Sequence, residues 1–469
     1  MASDPGVCYV SRIMSRSTLL PRSLIRFVGP LLSLACLPVA AAQPRSPDFA
    51  ATASEALATL QQYIRIDTTN PPSDTRKTAA MLTQILEREG LKVTHYESVP
   101  GKEIILTRLA ATVKQPVGKP ILLLHHMDVV PADASRWKVP PFGAVVQDGL
   151  IWGRGAIDMK GLGVAHLYAF LLLKRLGLPR NRDVIFMAVP DEEAGGNLGA
   201  RWMIAHHYAE LDPEYVLDEG GVGSRDLYAK GKLVYGISVA QKKMLWLKLR
   251  AEGVAGHGSQ PHDQNPNDRL VRALARLLAE PMPAASSTVL EQLKQRVGEL
   301  AANKYTNAIQ HSTVALTTLR AGVGEPPKVN VIPSVAEAGL DCRVLPGVTR
   351  EQWLAELRRR LADPSLKIEI VYESDDPVVS PFATPLFAAL EAAIHRQHAD
   401  AVVTPILVPF GTDSDSFRAR GVKSYGVFPA LLTADIMASM HGDSERLPVA
   451  ELGAAVRILF EALRDTLAP

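Results

Sequence analysis

The chain has 469 residues, 47% of them hydrophobic, and its 51 Lys and Arg against 49 Asp and Glu leave a formal net charge of +2. That length accommodates two domains with sizeable cores. The balanced charge gives no support to nucleic-acid binding, which usually shows as a basic patch or domain.

Arg12, Arg16, Arg22 and Arg26 precede an apolar run from Phe27 to Ala40, and Ala40-Ala41-Ala42 offers small residues for cleavage. Together they read as a signal peptide over residues 1–42. The expectation is a secreted or periplasmic protein with no stable membrane insertion after cleavage. Beyond the leader no apolar run is long enough to span a bilayer. Cys8 and Cys36 lie in the leader, so Cys342 is alone in the mature chain and reads as a buried thiol rather than half of a disulfide.

Helices are expected over 52–66, broken by Asn70-Pro71-Pro72, and over 75–89, closed by Gly90. The apolar runs 121–124, 184–189 and 215–217 read as buried strands, with helices over 160–176 and 198–207 between them. That alternation predicts an α/β fold with a mostly parallel sheet flanked by helices. From about Gly236 the rhythm changes. Strands over 243–249, 314–320, 336–344 and 367–372, with helices over 267–278 and 350–361, follow a β-α-β-β-α-β order, with an extra helix near 289–302. We read 240–374 as a ferredoxin-like α+β domain inserted between two halves, 43–239 and 375–469, of a catalytic domain. The second half carries a helix over 385–397, strands near 402–408 and 423–427, and a closing helix over 449–467.

Acidic and histidine motifs recur at one topological place. His126-Met127-Asp128 follows the first strand, Asp191-Glu192-Glu193 follows another, Asp218-Glu219 follows a third, and Asp158 precedes a helix. Strand carboxyl ends build the ligand crevice of open α/β sheets. So many carboxylates there would repel one another unless cations hold them. Imidazole and carboxylate donors suit zinc, and a pair of ions about 3.5–4 Å apart is a recognised hydrolytic arrangement. Asp158 is the candidate bridge, and His441 can complete the donor set. One of the two adjacent glutamates would bind metal while its neighbour handles protons.

These motifs resemble those of the M20 family of metallopeptidases, which includes aminoacylase, carboxypeptidase S and glutamate carboxypeptidase. Leu-Leu-Leu-His-His-Met-Asp-Val-Val-Pro, Gly-Arg-Gly-Ala-Ile-Asp-Met-Lys-Gly, Pro-Asp-Glu-Glu-Ala-Gly-Gly, Leu-Asp-Glu-Gly-Gly and His-Gly-Asp-Ser-Glu-Arg carry the resemblance. It implies a zinc-exopeptidase-like sheet with an inserted lid and dimerisation domain. It also implies two zinc ions, with Co2+ or Mn2+ as substitutes. His126 would bind one ion and Asp128 would orient that imidazole. Asp158 would bridge, Glu193 and His441 would bind the second ion, and Glu192 would be the general base. The remaining ligand lies in Asp218-Glu219, with Glu219 read first and Asp218 kept open. His257 would stabilise the tetrahedral intermediate, from the partner subunit if the chain is a homodimer. Asn330, Arg343, Gly411 and Thr412 would contact substrate, Arg343 by holding a carboxylate.

The expected activity is cleavage of an amide bond beside a free-carboxylate amino acid, as a carboxypeptidase or dipeptidase acting on a small peptide. An N-acyl-amino-acid amidohydrolase is the alternative. A non-catalytic binding protein is the reading from another class, against which the intact Glu192 and complete ligand set argue.

Overall fold

A computed structural model describes residues 46–469; the leader lies outside them. Strands β1 (Val93–Glu97) and β2 (Glu103–Leu109) form a hairpin, and β3 (Ile121–His126) follows. Two short strands, β4 (Val145–Gln147) and β5 (Leu150–Trp152), pair beside the main sheet, and β6 (Val184–Val189), β7 (Tyr215–Ser224) and β8 (Val234–Gln241) return to it. A second sheet draws on β9 (Lys243–Glu252), β11 (Thr313–Ala321), β13 (Val335–Val344) and β14 (Lys367–Glu373). Short strands β10 (Gly256–His257) and β12 (Val331–Ile332) form a ribbon of their own. The chain closes with β15 (Val402–Val408), β16 (Lys423–Leu431) and β17 (Arg446–Pro448).

The large sheet has the order β1-β2-β6-β3-β7-β16-β8-β15, with β6, β3, β7 and β16 parallel at its centre. Its central strands are apolar throughout because both faces are covered. Ile121 and Leu123 pack in the core that includes helices Lys160–Arg175 and Val449–Leu467, while Leu122 and Leu124 pack in the core that includes helix Ala200–Leu211. A strand buried on both sides loses its alternation and reads as a continuous run.

The small sheet has the order β11-β13-β9-β14, every pair antiparallel. That is the strand order of a split β-α-β unit. Here alternation is strict. Along β9, Leu245, Leu247 and Leu249 are buried with helices Pro266–Leu278 and Arg350–Leu361, while Met244, Trp246 and Lys248 point to the other face. Cys342 is buried in this core as a free thiol, its pKa pushed up to about 12 by burial.

Two details differ from the sequence reading. The helix expected near 289–302 is two helices, Thr288–Val297 and Lys304–Gln310. Gly298, at φ +78°, ends the first, and Val289, Leu290, Leu293 and Val297 join the core of the large sheet rather than that of the small one. Strand β8 is fully buried but holds Gly236 and Ser238, which hid it as a strand in the sequence.

Candidate metal centre and active site

Each acidic motif is delivered by a strand end or a bend with a visible cause. β3 ends at His126, which is 1% exposed. Its Nδ1 lies 2.9 Å from the backbone carbonyl of Asp128 and 3.6 Å from that residue's carboxylate. The carbonyl fixes the ring, while the carboxylate serves the next loop: Asp128 accepts from Asn70 Nδ2 at 2.7 Å and from the amides of Glu192 and Glu193 at 3.3 Å.

That loop turns at Asp191, in the left-handed region at φ +78°. The Asp191 carboxylate pairs with Lys102 Nζ at 2.8 Å and accepts from the Leu198 amide at 3.1 Å, so its side chain is spent on holding the turn. On β7 the register with β16 jumps from Asp218↔Gly426 to Gly221↔Val427, leaving Glu219 and Gly220 as a bulge. A bulge re-aims a side chain, and only glycine fits at 220, where an added Cβ would stand 2.7 Å from Ser238 Cβ.

The groups converge. Asp158 Oδ1 is 3.0 Å from His126 Nε2, and Asp158 Oδ2 is 2.9 Å from His441 Nε2. Glu219 Oε1 is 3.8 Å from His126 Nε2, and Glu193 Oε1 is 3.4 Å from His441 Nε2. Ligand atoms of His126, Asp158 and Glu193 lie within 4.8 Å of one another, as do those of His126, Glu192 and Glu219. Asp218 is elsewhere engaged, accepting from Ser414 Oγ at 2.8 Å. The geometry therefore favours Glu219 for the donor set.

Burial pushes the carboxyl pKa values of Glu192 and Glu219 well above the ordinary range, and neighbouring carboxylates add to it; Glu193 is raised for the same reasons. Asp158 goes the other way: burial opposes its charge, but hydrogen bonds to His126 and His441 outweigh that and hold its pKa low. Burial would likewise lower His441, yet Asp158 and Glu193 raise it to about 11. Glu193 Oε1 is buried with no hydrogen-bond partner. This donor set, oxygen-rich with two imidazoles, fits divalent cations.

Two residues that sequence reasoning missed tie the halves of the cluster together. Arg154 and Glu445 form a fully buried ion pair at 2.7 Å. Glu445 Oε1 accepts from the amides of Ile157 and Asp158, and Arg154 Nη2 donates to the carbonyls of His441 and Gly442. The pair thus fixes the backbones of Asp158 and His441 at once. Both residues lie inside the motifs already quoted, so their positions were visible but their partnership was not. Asp413 was also missed as a site acid; it is buried, its Oδ2 has no hydrogen-bond partner, and burial with Asp218 nearby pushes its pKa well up.

A cavity of about 270 Å³ opens onto this cluster. Asp158, Glu192, Glu193, Glu219 and His441 form its ionic wall, and Met244, Trp246, Arg343, Phe410, Gly411 and Met440 the remainder. Of the residues expected to contact substrate, Arg343 and Gly411 line this cavity. Thr412 does not line it: it is 4% exposed and donates to Gln241 Oε1 at 2.9 Å, so its hydroxyl fastens the loop. His257 pairs with Val331 on the β10–β12 ribbon, and Asn330 lies just before β12, where its carbonyl accepts from the Gly258 amide; neither lines the cavity.

Residues 122–465 match Peptidase family M20/M25/M40. The chain belongs to that family. It is an enzyme, a hydrolase of peptide or amide bonds. The human N-fatty-acyl-amino acid synthase/hydrolase is 30% identical over 75% of this chain and 74% of its own length. Mouse aminoacylase-1 is 28% identical over 83% of this chain and 89% of its own. Among solved structures, an M20 family metallo-carboxypeptidase from Sulfolobus solfataricus shares the fold with TM-score 0.69 at 20% identity, covering 88% of this chain and 99% of that one. A dinuclear metal binding peptidase of the M20 family from Bacillus subtilis has TM-score 0.60 at 14% identity, covering 89% of this chain and 99% of its own.

Proposed function

We propose that the chain hydrolyses N-acyl amino acids with a free α-carboxylate, at a centre of two zinc ions for which Co2+ or Mn2+ can substitute. The observation that carries this reading is one cavity with two unlike sets of lining groups: four carboxylates with the His441 imidazole, and Arg343 with the apolar side chains of Met244, Trp246, Phe410 and Met440. The names of the human and mouse relatives support an acyl group over a peptide. Release of a residue from a peptide end is the second reading, supported by a probable carboxypeptidase S-like relative from Dictyostelium discoideum, 29% identical over 74% of this chain.

In this reading His126, Asp158 and Glu219 would hold one ion, and Asp158, Glu193 and His441 the other; each oxygen of Asp158 lies against a different imidazole, which supports its being shared. When bound, such ions polarise a carbonyl and acidify water. Glu192, half-buried and without an ion-pair partner among the described residues, takes the proton of the attacking water and passes it to the leaving amine. Asp341 already occupies Nε and Nη2 of Arg343, at 2.8 and 3.1 Å. Arg343 Nη1 is left for the substrate carboxylate, in a guanidinium whose orientation is fixed beforehand. His257 and Asn330 reach substrate only if the small sheet closes or a second copy supplies them, which makes a homodimer part of the proposal. Mixing inactive His257→Ala and Glu192→Gln chains should then restore activity. Export by a cleaved leader is proposed as well, and the N-terminal residue of the protein isolated from cells tests it.

The deciding assay is amino-acid release from matched pools of N-acyl amino acids, dipeptides and longer peptides, each with a free or amidated C-terminus. Preference for N-acyl amino acids with a free carboxylate is expected. Release from peptides alone would move the protein to the second reading, and release from amidated substrates would remove Arg343 from its role.

A further inference from the structure

Trp246 lies on the wall of two cavities. One is the metal-site cavity, and the other is a slot of about 340 Å³ on the helix-free face of the small sheet. The register orders what lies between. Met244 pairs with Arg343 at the site, Trp246 with Asp341 one step on, and Lys248 with Gly339 beyond. At about 3.4 Å per residue the first and last of these are about 14 Å apart.

The slot has a built floor. Gly339 sits inside β13, where an added Cβ would stand 2.5 Å from Thr318 Oγ1. A glycine inside a strand marks a place where something approaches the backbone closely, and here it is the Thr318 side chain, which lies against Gly339 and forms part of the slot's floor. Opposite it β11 breaks register between Leu316 and Thr318, and Thr317 and Thr318 both border the slot. Most charges around it are engaged: Lys248 with Glu369 at 2.6 Å, Glu337 with Arg250 at 2.7 Å, and Asp341 with Arg343; Arg320, opposite Glu337 at the end away from the metal site, makes no ion pair among the described residues and marks the polar end of the slot. What remains open is the Trp246 ring, packed on Tyr372 at 4.7 Å, the threonine methyls, the backbone at Gly339, and Val371, which is 60% exposed. Such a surface suits an uncharged, flexible, apolar chain.

We propose that this slot is an acyl subsite. The long aliphatic chain of an N-acyl amino acid passes Trp246 and lies along β9 and β13 over Gly339. The inference rests on the acyl-amino-acid reading of the cavity and adds where the acyl chain goes. Buried methylenes each add favourable transfer free energy, so kcat/KM should rise with acyl length until the slot is full.

The test compares N-acetyl, N-octanoyl and N-dodecanoyl derivatives of one amino acid in the metal-loaded enzyme, its Val371→Trp variant and its Thr317→Trp variant. The dodecanoyl-to-acetyl ratio of kcat/KM should exceed about tenfold in the parent and fall by about tenfold in either variant. Thermal melting of each variant checks folding. As a readout independent of turnover, dodecanoate should shift the tryptophan fluorescence of the parent, and Trp246→Phe should abolish the shift. No chain-length preference, or a preference that neither variant alters, overturns the subsite while leaving the acyl-amino-acid reading in place. Failure to cleave N-acyl substrates of any length overturns that reading and the subsite with it.

Discussion

The rim of the large sheet and the open face of the small sheet are both rich in charge, and they handle it in opposite ways. At the rim, Asp158, Glu192, Glu193 and Glu219 crowd together in a buried pocket, with His126 and His441 as the imidazoles among them. On the open face, Lys248 pairs with Glu369 and Arg250 with Glu337 across neighbouring strands, and Arg343 pairs with Asp341 along β13. Like charges packed out of water cost free energy unless a ligand compensates them, whereas surface pairs contribute little and serve chiefly as scaffold. The first region is therefore built to bind cations and move protons, the second to present a shape.

The sharpest way to break that comparison is at the rim. Glu192→Gln should lower kcat by about 10²–10⁴-fold, the usual contribution of a general acid–base group, without loss of metal; elemental analysis and steady-state kinetics check it. Next is the clamp beneath. Arg154→Met leaves the Glu445 carboxylate buried and unpaired, which should destabilise the fold by about 3–5 kcal/mol and weaken metal binding, as read by chemical denaturation and metal titration.

A smaller effect follows from pH. In the metal-free protein the His441 pKa is raised to about 11, so the ring carries its proton at neutral pH. If His441 holds a metal as proposed, binding must expel that proton, and affinity should fall as pH falls by about tenfold per unit for one proton. Calorimetry in buffers of different ionisation enthalpy should detect the released proton. On the small sheet, Arg343→Lys loses the fixed fork and should raise KM by about tenfold with little change in kcat, which would set positioning apart from chemistry.

Much of this was legible because the chemistry requires charged residues at the ends of elements. His126, Glu192 and Glu193 follow apolar strands that are uninterrupted because both sheet faces are covered, while Asp158 stands before a helix and His441 in a late loop. The choice between Asp218 and Glu219 was not legible, since it depends on a two-residue bulge set by the pairing of β7 with β16. The clamp between Arg154 and Glu445 joins residues 291 positions apart and leaves no local signature. Thr412 misled because a loop motif does not tell which of its side chains faces the cavity and which fastens the loop to Gln241. The slot over Gly339 was hidden for a similar reason: it needs two strands and a bulge in register.

The central claim is that the cluster holds two divalent cations through a shared Asp158. Native mass spectrometry of zinc-titrated protein, beside Asp158→Ala and Glu192→Gln, tests it most directly. The account predicts two ions per chain in the parent and in Glu192→Gln, and loss of both, or of all but a weakly held one, in Asp158→Ala. A parent that binds no zinc, or an Asp158→Ala variant that still holds two ions tightly, would contradict it.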